Sequence, residues 1–529
     1  MNLITDPWIP IIRADGAREK IAPWQIAEQQ NPVMEIAAPR PDFQGALYQF
    51  LIGLLQTVVP PEDAREWAEK WQVVPDGEEL RARLKKISDA FELINPDGIA
   101  FLQDFQMPEG EQKDIAALLI EAPGGKTIKD NLDHFIKAGA VEGICDSCAA
   151  IALFTLQTNA PSGGVGHRVG LRGGGPMTTL LRPENRTANL WQKLWLNVLT
   201  VEEAAPACLS ATPKVFSWCA PTRVSDKPGS ALLPNDASIN WLHVYWCMPR
   251  RIRLEPGNDS GICTLCGEEC AHLLTHFRTK NYGMNYEGPW VHPLTPYRYD
   301  PKHQAPPLSL KGQQGGLGYR HWLGFVWKDE NNGDQAAVSI QSFLEQKSRY
   351  LSDDQNIGLW CFGYDMDNMK ARCWYEHHLP VVSVDQEYRE VFFSFVGDLI
   401  ASSKDAVKEL RSQIKAAWFS RPKDAKGDTS MIDQSFWQAT EADFYQQLHR
   451  LAQLPADTRA MPAAVAQEWL QTLRRNCLDL FDHWSLEGEA EDMDLKRVVK
   501  ARRFLDTNLN KAKSIKKLHD KAKSTKEVA

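Results

Sequence analysis

Two Cys-x-x-Cys pairs are the clearest candidate for metal chemistry in this sequence. Cys145 and Cys148 form the first pair, and Cys263 and Cys266 form the second. A tetrahedral zinc site needs four soft ligands, and each Cys-x-x-Cys turn directs two thiolates toward one point. We therefore predict that the pairs share one structural zinc ion, although 114 residues separate them. The alternative is two unrelated pairs of buried thiols. Further candidate ligands follow the second pair: Cys270, His272 and His276.

A glycine-rich segment follows the first cysteine pair. Seven of the sixteen residues from 161 to 176 are glycine. Such a loop lets backbone N–H groups approach a phosphate or a groove edge closely. Arg168 and Arg172 would supply positive charge beside it. Without further context, a purely structural glycine loop is the favoured interpretation.

A third pattern combines a turn signal with acidic and amide side chains. Gly363 is followed by Asp365, Asp367, Asn368 and Met369. The cluster predicts a tight turn with Asn368 and Met369 at its tip. A polar amide beside an apolar side chain can wedge between base pairs, although an ordinary hairpin turn has the same signature. The two aspartates could also be read as metal carboxylates, but no Ser/His/Asp or HNH-nuclease pattern accompanies them.

The elements that must position these residues are predicted to be mixed in type. The segment between Gln103 and Gly143 is polar and irregular, which predicts a long and functional loop. Apolar spacing and turn signals predict the other elements. Helices are expected over 43–58, 63–71, 78–93, 148–158 and 187–199, and strands over 8–12, 241–246 and 338–340.

The predicted secondary structure becomes mainly helical after Pro380. Segments 390–418, 432–452, 462–481 and 495–523 each carry helical apolar spacing and are joined by short connectors, which is typical of a four-helix bundle. We therefore predict an α+β protein. A large mixed domain over 1–384, holding the four-cysteine zinc site, would precede a C-terminal four-helix bundle over 385–529.

Charge and composition limit the functional classes. The chain has 529 residues and eleven cysteines, and the latter are expected to be reduced or metal-bound in a cytoplasmic protein. Its most apolar stretch, 46–59, is too short to span a membrane, and the N-terminus lacks a secretory signal. Net charge is −8, but the last 34 residues hold twelve Lys and Arg against three Asp and Glu. That basic end suits either a nucleic-acid-facing element or a solvated tail.

Taken in order, these segments resemble the CasA family, the large subunit of the type I-E CRISPR Cascade complex. The similarity extends over essentially the whole chain and is weakest in the C-terminal helices. It rests on Asn2-Leu3 with Asp6-x-Trp8-Ile9-Pro10, on the runs 145–154, 160–161 and 170–174, on Cys263-x-x-Cys266-Gly267 with Trp290-x-His292-Pro293, and on Gly363-Tyr364.

The resemblance implies a subunit that binds nucleic acid without catalysing a reaction. Such a subunit recognises the protospacer-adjacent motif (PAM) in double-stranded target DNA and helps to start unwinding, while guide RNA pairing supplies sequence specificity. Its implied partners are target DNA, guide RNA, the backbone, small and handle-binding Cascade subunits, and a recruited helicase–nuclease that cuts the DNA. No membrane is involved.

The resemblance also assigns residues to these roles. The glycine loop that contacts DNA falls on Ser162, Gly163, Gly164 and Val165. The lysine finger falls on Lys280, with Asn281 at the strictly counted position and Arg278 as a rival. The wedge that splits the first base pair falls on Asp367, Asn368 and Met369. The loop that contacts guide RNA and neighbouring subunits holds His134, Phe135 and Lys137.

Two other functions compete with PAM recognition. A scaffold would bind only protein partners through its helical bundle, and no change in the glycine loop would then alter PAM preference. A zinc-dependent nuclease would need an open metal site or a carboxylate pair such as Asp365 and Asp367, and the purified chain would cut DNA.

Overall fold

The computed structural model divides the chain into two compact units. The first comprises Met1–Gly312 and Ala336–Glu376, and the second comprises Gln313–Gln335 and His377–Ala529. The structure describes residues 1–523 except 106, 108, 123–135, 138, 162, 258, 303, 330–332, 353–354, 368–369, 425–426 and 488–493.

The first unit is built around a buried helix. Helix α1 begins at Pro41, whose fixed φ suits a first helical turn, and nearly all of its side chains are buried. Phe50 of α1 packs edge-to-face against Trp8, Phe101, Phe154 and Trp246, which forms an aromatic core. The helices of this unit are α1 (Pro41–Val58), α2 (Ala64–Gln72), α3 (Gly77–Lys85), α4 (Asp146–Asn159), α5 (Leu190–Trp195) and α7 (Val338–Ser342).

Short antiparallel strands surround this core. The N-terminal strands are β1 (Ile9–Arg13), β2 (Arg18–Ile21) and β3 (Val33–Ile36), ordered β2-β1-β3. A second sheet, ordered β4-β9-β6, holds β4 (Glu111–Asp114), β6 (Arg251–Leu254) and β9 (His276–Lys280). Two small pairs are β7 (Gly261–Ile262) with β8 (Glu269–Cys270), and β10 (Tyr297–Arg298) with β11 (Leu308–Ser309).

A third sheet joins distant parts of the chain. Strand β5 (Thr178–Pro183) pairs with β14 (Ile357–Asp367) from Ile357 opposite Pro183 to Phe362 opposite Thr178. Strand β15 (Lys370–Val381) lies on the other side of β14. The unit is therefore completed by residues far apart in sequence.

The second unit is mainly helical. Its elements are α6 (Trp322–Val326), the strand pair β12 (Lys328–Asp329) and β13 (Asp334–Gln335), α8 (Arg389–Trp418), α9 (Ser430–Ala452), α10 (Ala463–Leu486), α11 (Leu495–Leu509) and α12 (Lys513–Lys523). The Trp469 indole of α10 donates to Ser402 of α8 at 3.1 Å, and Tyr319 meets Thr440 of α9 at 2.8 Å. Helices occur at all four predicted segments, but the last is divided into α11 and α12.

Several local predictions are wrong. Residues Trp241–Tyr245, predicted as a strand, form a 3-10 helix that begins with Asn240 accepting a hydrogen bond from Leu242 N–H. The predicted strand 338–340 lies in α7, because Ile340 and Gln341 N–H both turn back to Ala337 O. Short apolar runs do not distinguish strand from helix by periodicity. The predicted loop 103–143 also contains strand β4.

Gly363 is not part of a turn, and the predicted tip of the turn, Asn368 and Met369, lies outside the described residues. Gly363 lies inside β14, where an added Cβ would be 2.9 Å from Pro176 O and 3.2 Å from Met177 Cα. Glycine is required there by the close approach of another backbone segment. Among the described residues, no helix is both long and apolar enough to cross a bilayer.

Candidate metal centre and nucleic-acid interface

The structure brings the four predicted cysteines together. The sulfur atoms of Cys145, Cys148, Cys263 and Cys266 all lie within 4.8 Å of one another, and the first three residues are buried. In the described part of the chain, this is the one group of three or more His, Cys, Asp or Glu side chains positioned to hold a metal ion. The 114-residue separation is thus closed by the fold.

Each pair is held by a different local structure. Cys145 is the N-cap of α4, and its sulfur accepts from Cys148 N–H at 3.4 Å. Cys263 closes a turn between β7 and β8, where its carbonyl accepts from Gly267 N–H at 2.9 Å. Thr264 joins the two pairs, because its N–H and hydroxyl both donate to Gly143 O, at 3.0 and 2.8 Å.

The four thiols shift one another's pKa values because they lie so close together. Hydrogen bonds from Cys145 and Cys148 lower the pKa of Cys263, whereas hydrogen bonding to Cys145 raises the pKa of Cys148. Burial raises the pKa of Cys266 to about 12. A bound dication would stabilise all four thiolates, so this all-sulfur donor set fits a closed structural metal site.

The competing ligands lie outside this group. Cys270 is half-buried, and its thiol contacts Glu268 O at 3.4 Å. His276 lies 3.7 Å from Asp114. Neither these two residues nor His272 belongs to the described four-sulfur group.

The glycine loop is exposed at its centre. Val165 has 73% of its surface accessible, and the glycines on either side, Gly164 and Gly166, have φ values of +72° and +74°. Glycine adopts positive φ values without steric cost, whereas other residues rarely do. With no side chain at these two positions, another molecule can approach the backbone closely. Gly163 is half-buried, and Ser162 lies outside the described residues.

The loop is attached to the residues that follow β9. Tyr282 N–H donates to Gly166 O at 2.8 Å. A Cβ on Gly166 would lie 2.9 Å from both Tyr282 N and Asn281 Cβ, so no side chain fits there. The residue that follows the predicted glycine loop is therefore bonded to the backbone two residues after Lys280.

Lys280 ends β9 at the edge of a groove. This groove has a volume of about 610 Å³. Lys280 and Asn281 are both exposed there. The rival, Arg278, donates to Glu255 at 2.7 Å, so its guanidinium is already in an ion pair. The groove is lined by Glu109, Glu111, Val224, Asp226, Arg251, Thr279, Lys280, Asn281 and Tyr282.

The two arginines of the glycine-rich segment do not present free charge as predicted. Arg172 is 5% exposed and donates to Gln49, Thr178 and Thr295 at 2.7–3.1 Å. Arg168 donates to the hydroxyl and carbonyl oxygens of Ser225 at 2.8 and 2.9 Å. Both guanidiniums are therefore used in hydrogen bonds within the protein. Their partners are distant in sequence, so the residues next to each arginine do not reveal them.

The predicted wedge is placed only in part. Strand β14 ends at Asp367 and β15 begins at Lys370, while Asn368 and Met369 lie outside the described residues. Asp367 is exposed and lies 3.9 Å from Arg372, which also donates to the buried Asp365 at 2.7 Å. Both aspartates thus interact with an arginine, which does not support the metal-carboxylate alternative.

The predicted guide-contacting loop is described at one position. Lys137 is exposed, and its carbonyl accepts from Ala140 N–H at 3.1 Å. His134 and Phe135 lie outside the described residues.

Comparison with known proteins identifies the family. The model of the CRISPR-associated protein Cse1 family matches residues 2–480. The chain belongs to the Cse1 family. A curated relative, CRISPR-associated protein CasA/Cse1 of Thermus thermophilus, is 28% identical over 214 residues, which span 39% of this chain and 41% of the relative. The matched region thus covers about two fifths of that relative's length.

Solved structures share the Cse1 fold over nearly the whole chain. CasA (Cse1) of Thermus thermophilus matches with a TM-score of 0.67 and 18% identity, covering 97% of this chain and 99% of that one. Cse1 of Thermobifida fusca matches with a TM-score of 0.69 and 19% identity, covering 97% and 98%. A chain of a CRISPR RNA-guided surveillance complex matches with a TM-score of 0.67 and 15% identity, covering 96% and 99%.

Sequence reasoning missed the residues that hold this Cse1 surface together. Gly166, Tyr282 and Ser225 link the glycine loop to the end of β9, and Arg250 donates to Pro161 O at the start of the loop. The one local signal was the density of glycines, which does not reveal the partner of each glycine. Tyr282 has a φ of +64°, which nothing in its sequence predicts.

A Gly166→Ala substitution is expected to destabilise this Cse1 chain by roughly 1–3 kcal/mol, because its Cβ would meet Tyr282 N and Asn281 Cβ at 2.9 Å. Gly229→Ala is the matched control. Gly229 has a φ of +77°, but nothing lies within 4 Å of its added Cβ, so only the left-handed backbone adds a cost. Chemical denaturation measures the free energy of unfolding of both variants. Equal losses would show that the contact with Tyr282 contributes nothing.

Proposed function

We propose that this Cse1-family chain is the large subunit of a type I-E Cascade complex, where it recognises the PAM in double-stranded target DNA and helps to start unwinding. The contact between Gly166 O and Tyr282 N–H carries the proposal. It joins the exposed glycine loop to the exposed Lys280, two elements that sequence resemblance associates with one DNA site.

The chemistry of this surface suits the minor groove. The minor groove offers few distinguishing groups, so a small number of contacts gives a tolerant readout of the PAM. An exposed glycine backbone can approach sugar and phosphate closely, and the Lys280 ammonium can pair with a phosphate. Glu109, Glu111 and Asp226 also line the groove and oppose nonspecific phosphate binding across it.

Strand opening would follow PAM binding. We propose that Asp367, Asn368 and Met369, between β14 and β15, form the wedge at the first base pair. An inserted side chain unstacks neighbouring base pairs, and contacts made by the bent DNA offset that cost. The β5–β14–β15 sheet would give the wedge a rigid base.

The regions 1–384 and 385–529 would have different functions. We propose that 1–384 carries DNA recognition, with His134, Phe135 and Lys137 contacting guide RNA and neighbouring subunits. Region 385–529 would act as a four-helix bundle toward the other subunits, target DNA and a recruited helicase–nuclease. Part of its basic charge is used internally, since Lys517 and Lys521 both pair with Asp398 at 2.6 Å.

The four-cysteine cluster would support the fold in this function. We propose that it holds one structural zinc ion. A site closed by four thiolates leaves no open coordination position for substrate, so the ion would stabilise the protein. The chain itself would have no enzymatic activity and would work in the cytoplasm.

Lys280→Ala is expected to weaken target binding about tenfold, because one phosphate contact is lost. The slope of log affinity against log salt concentration should fall by about one unit. The assembled complex should be titrated with duplexes that share one target and differ only in the flanking trinucleotide. Lys214→Ala, at an exposed lysine outside the groove, is the control and should bind as the wild type does.

Two results would contradict this assignment. Unchanged affinity and salt slope in Lys280→Ala would remove Lys280 from the DNA surface. The same affinity for every flanking trinucleotide in the wild-type complex would contradict PAM recognition and favour a scaffold that binds only protein partners.

A further inference from the structure

The glycine-rich segment extends from the exposed loop to the paired strands β14 and β15. At one end, Gly166 O accepts from Tyr282 N–H at 2.8 Å. At the other end, Gly175 lies against Met366 of β14, where an added Cβ would be 2.7 Å from Met366 Cγ and 3.1 Å from Tyr364 O. Gly175 also has a φ of +57°, so another residue there would be strained and would displace the strand. One segment therefore contacts both the loop after β9 and the strand that leads to the proposed wedge.

Between these ends, the segment is anchored in the core. The Arg172 guanidinium donates to Gln49 Oε1 at 2.7 Å, and the Arg172 carbonyl accepts from the Ser309 hydroxyl. Gly175 N–H donates to Asn159 O at 3.1 Å. Satisfied buried hydrogen bonds make a segment rigid, so its two ends are held at a fixed separation.

The residues at the base of the proposed wedge are held by the protein itself. Asp365 is 1% exposed and accepts from Arg372 of β15 at 2.7 Å. Asp367 lies 3.9 Å from the same guanidinium, and Met366, between the two aspartates, packs on Gly175. The base of the wedge is thus fixed by ion pairs to β15 and by an apolar contact with the glycine-rich segment.

We infer that Met366 and Arg372 are positioning residues that hold the wedge at a fixed separation from the glycine loop, so that strand opening begins at one defined base pair beside the PAM. A side chain that inserts at one base-pair step must be held precisely, and supporting residues provide that precision. The inference rests on the proposed PAM recognition and wedge, and it separates two properties. The glycine loop would determine whether the PAM is bound, whereas Met366 and Arg372 would determine whether the wedge meets the right base pair.

A duplex that is already open beside the PAM does not need the wedge, which makes a selective test possible. The assembled complex should be mixed with two duplexes of the same target and PAM, one fully paired and one mismatched over the first target base pairs. Fluorescence of a labelled displaced strand follows guide pairing on both. Met366→Ala should start guide pairing about tenfold more slowly on the paired duplex, because the wedge is misplaced, and at the wild-type rate on the mismatched one. Its preference among flanking trinucleotides should be unchanged.

Two further methionine variants are the controls. Met366→Leu keeps an apolar side chain of similar volume against Gly175 and should restore most of the wild-type rate. Met431→Ala makes the same truncation at a methionine of α9 that is 52% exposed, and it should behave as the wild type does on both duplexes.

Arg372→Gln tests the second contact. It removes the charge that pairs with Asp365, and it should show the same difference between the paired and mismatched duplexes. The slope of log affinity against log salt concentration should not change. A slope lower by about one unit would instead assign Arg372 to a DNA phosphate and overturn its positioning role.

Several results would overturn the inference and leave PAM recognition standing. Equal slowing of both duplexes by Met366→Ala would indicate a general loss of structure, and wild-type rates on both would show that the contact with Gly175 does not place the wedge. A changed flank preference would assign Met366 to PAM binding. Absence of any flank preference in the wild type would remove the proposed function itself. Comparable incorporation of the variants into the complex, checked by size-exclusion chromatography, excludes misfolding as the cause.

Discussion

Cys263→Ser is expected to remove the bound metal and to lower the free energy of unfolding by several kcal/mol. Cys263 is 1% exposed and belongs to the four-sulfur group, so its loss leaves three ligands around an incomplete site. Binding of structural zinc to folded sites is worth on the order of 10 kcal/mol. Zinc content of the purified chain, measured by mass spectrometry, should fall from about one ion per chain to nearly none. Thermal denaturation should show a matching loss of stability.

Cys270→Ser is the matched control for this prediction. Cys270 lies in the same small hairpin, opposite Gly261, but its sulfur is not part of the group. It should retain full zinc content and near-wild-type stability. Loss of zinc in Cys270→Ser would show that the coordination set differs from the one proposed, and full zinc content in Cys263→Ser would contradict the site.

Asp104→Ala is expected to destabilise the chain by about 3–5 kcal/mol, because it leaves a buried guanidinium without its counterion. Asp104 is 1% exposed and pairs with Arg251, which begins β6 directly opposite Lys280 of β9. An unpaired Arg251 would move toward water and displace the strand that carries Lys280. Urea denaturation measures the loss of stability, and titration with target duplex measures the effect on the groove.

An ion pair between β9 and the residue that follows β6 supplies the control. Arg278 of β9 pairs with Glu255 at the surface, where solvent screens the interaction. Glu255→Ala should therefore cost no more than about 1 kcal/mol. Similar losses for Asp104→Ala and Glu255→Ala would mean that burial of the Arg251 pair does not control its strength.

Local patterns predicted the parts of the fold that depend on neighbouring residues. The apolar spacing of 390–418 and 43–58 matches α8 and α1 closely, since amphipathic or uniformly apolar spacing over several turns admits few alternatives. The Cys-x-x-Cys spacing also predicted the four-sulfur cluster, because ligand type and pair geometry are local properties.

Long-range pairings could not be predicted in this way. Arg172 has the sequence context of a phosphate-binding residue, yet its partners come from Gln49 and Thr295, each more than 120 residues away. Residues 313–335 lie in the second unit, where Tyr319 stacks on Phe444 at 4.3 Å. The role of a buried polar group depends on the hydrogen-bond partners that the fold brings to it, so that role can be read only from the structure.

Pairing of β5 with β14 has a consequence for synthesis of the chain on the ribosome. Thr178 is synthesised long before its partner Phe362. The edge of β5 that pairs with β14 therefore has no partner strand while residues 184–356 are made. Uncovered strand edges invite pairing with other chains, and contacts of large sequence separation form slowly. Nascent chains of this protein should therefore depend on chaperones most strongly in the interval before β14 is released.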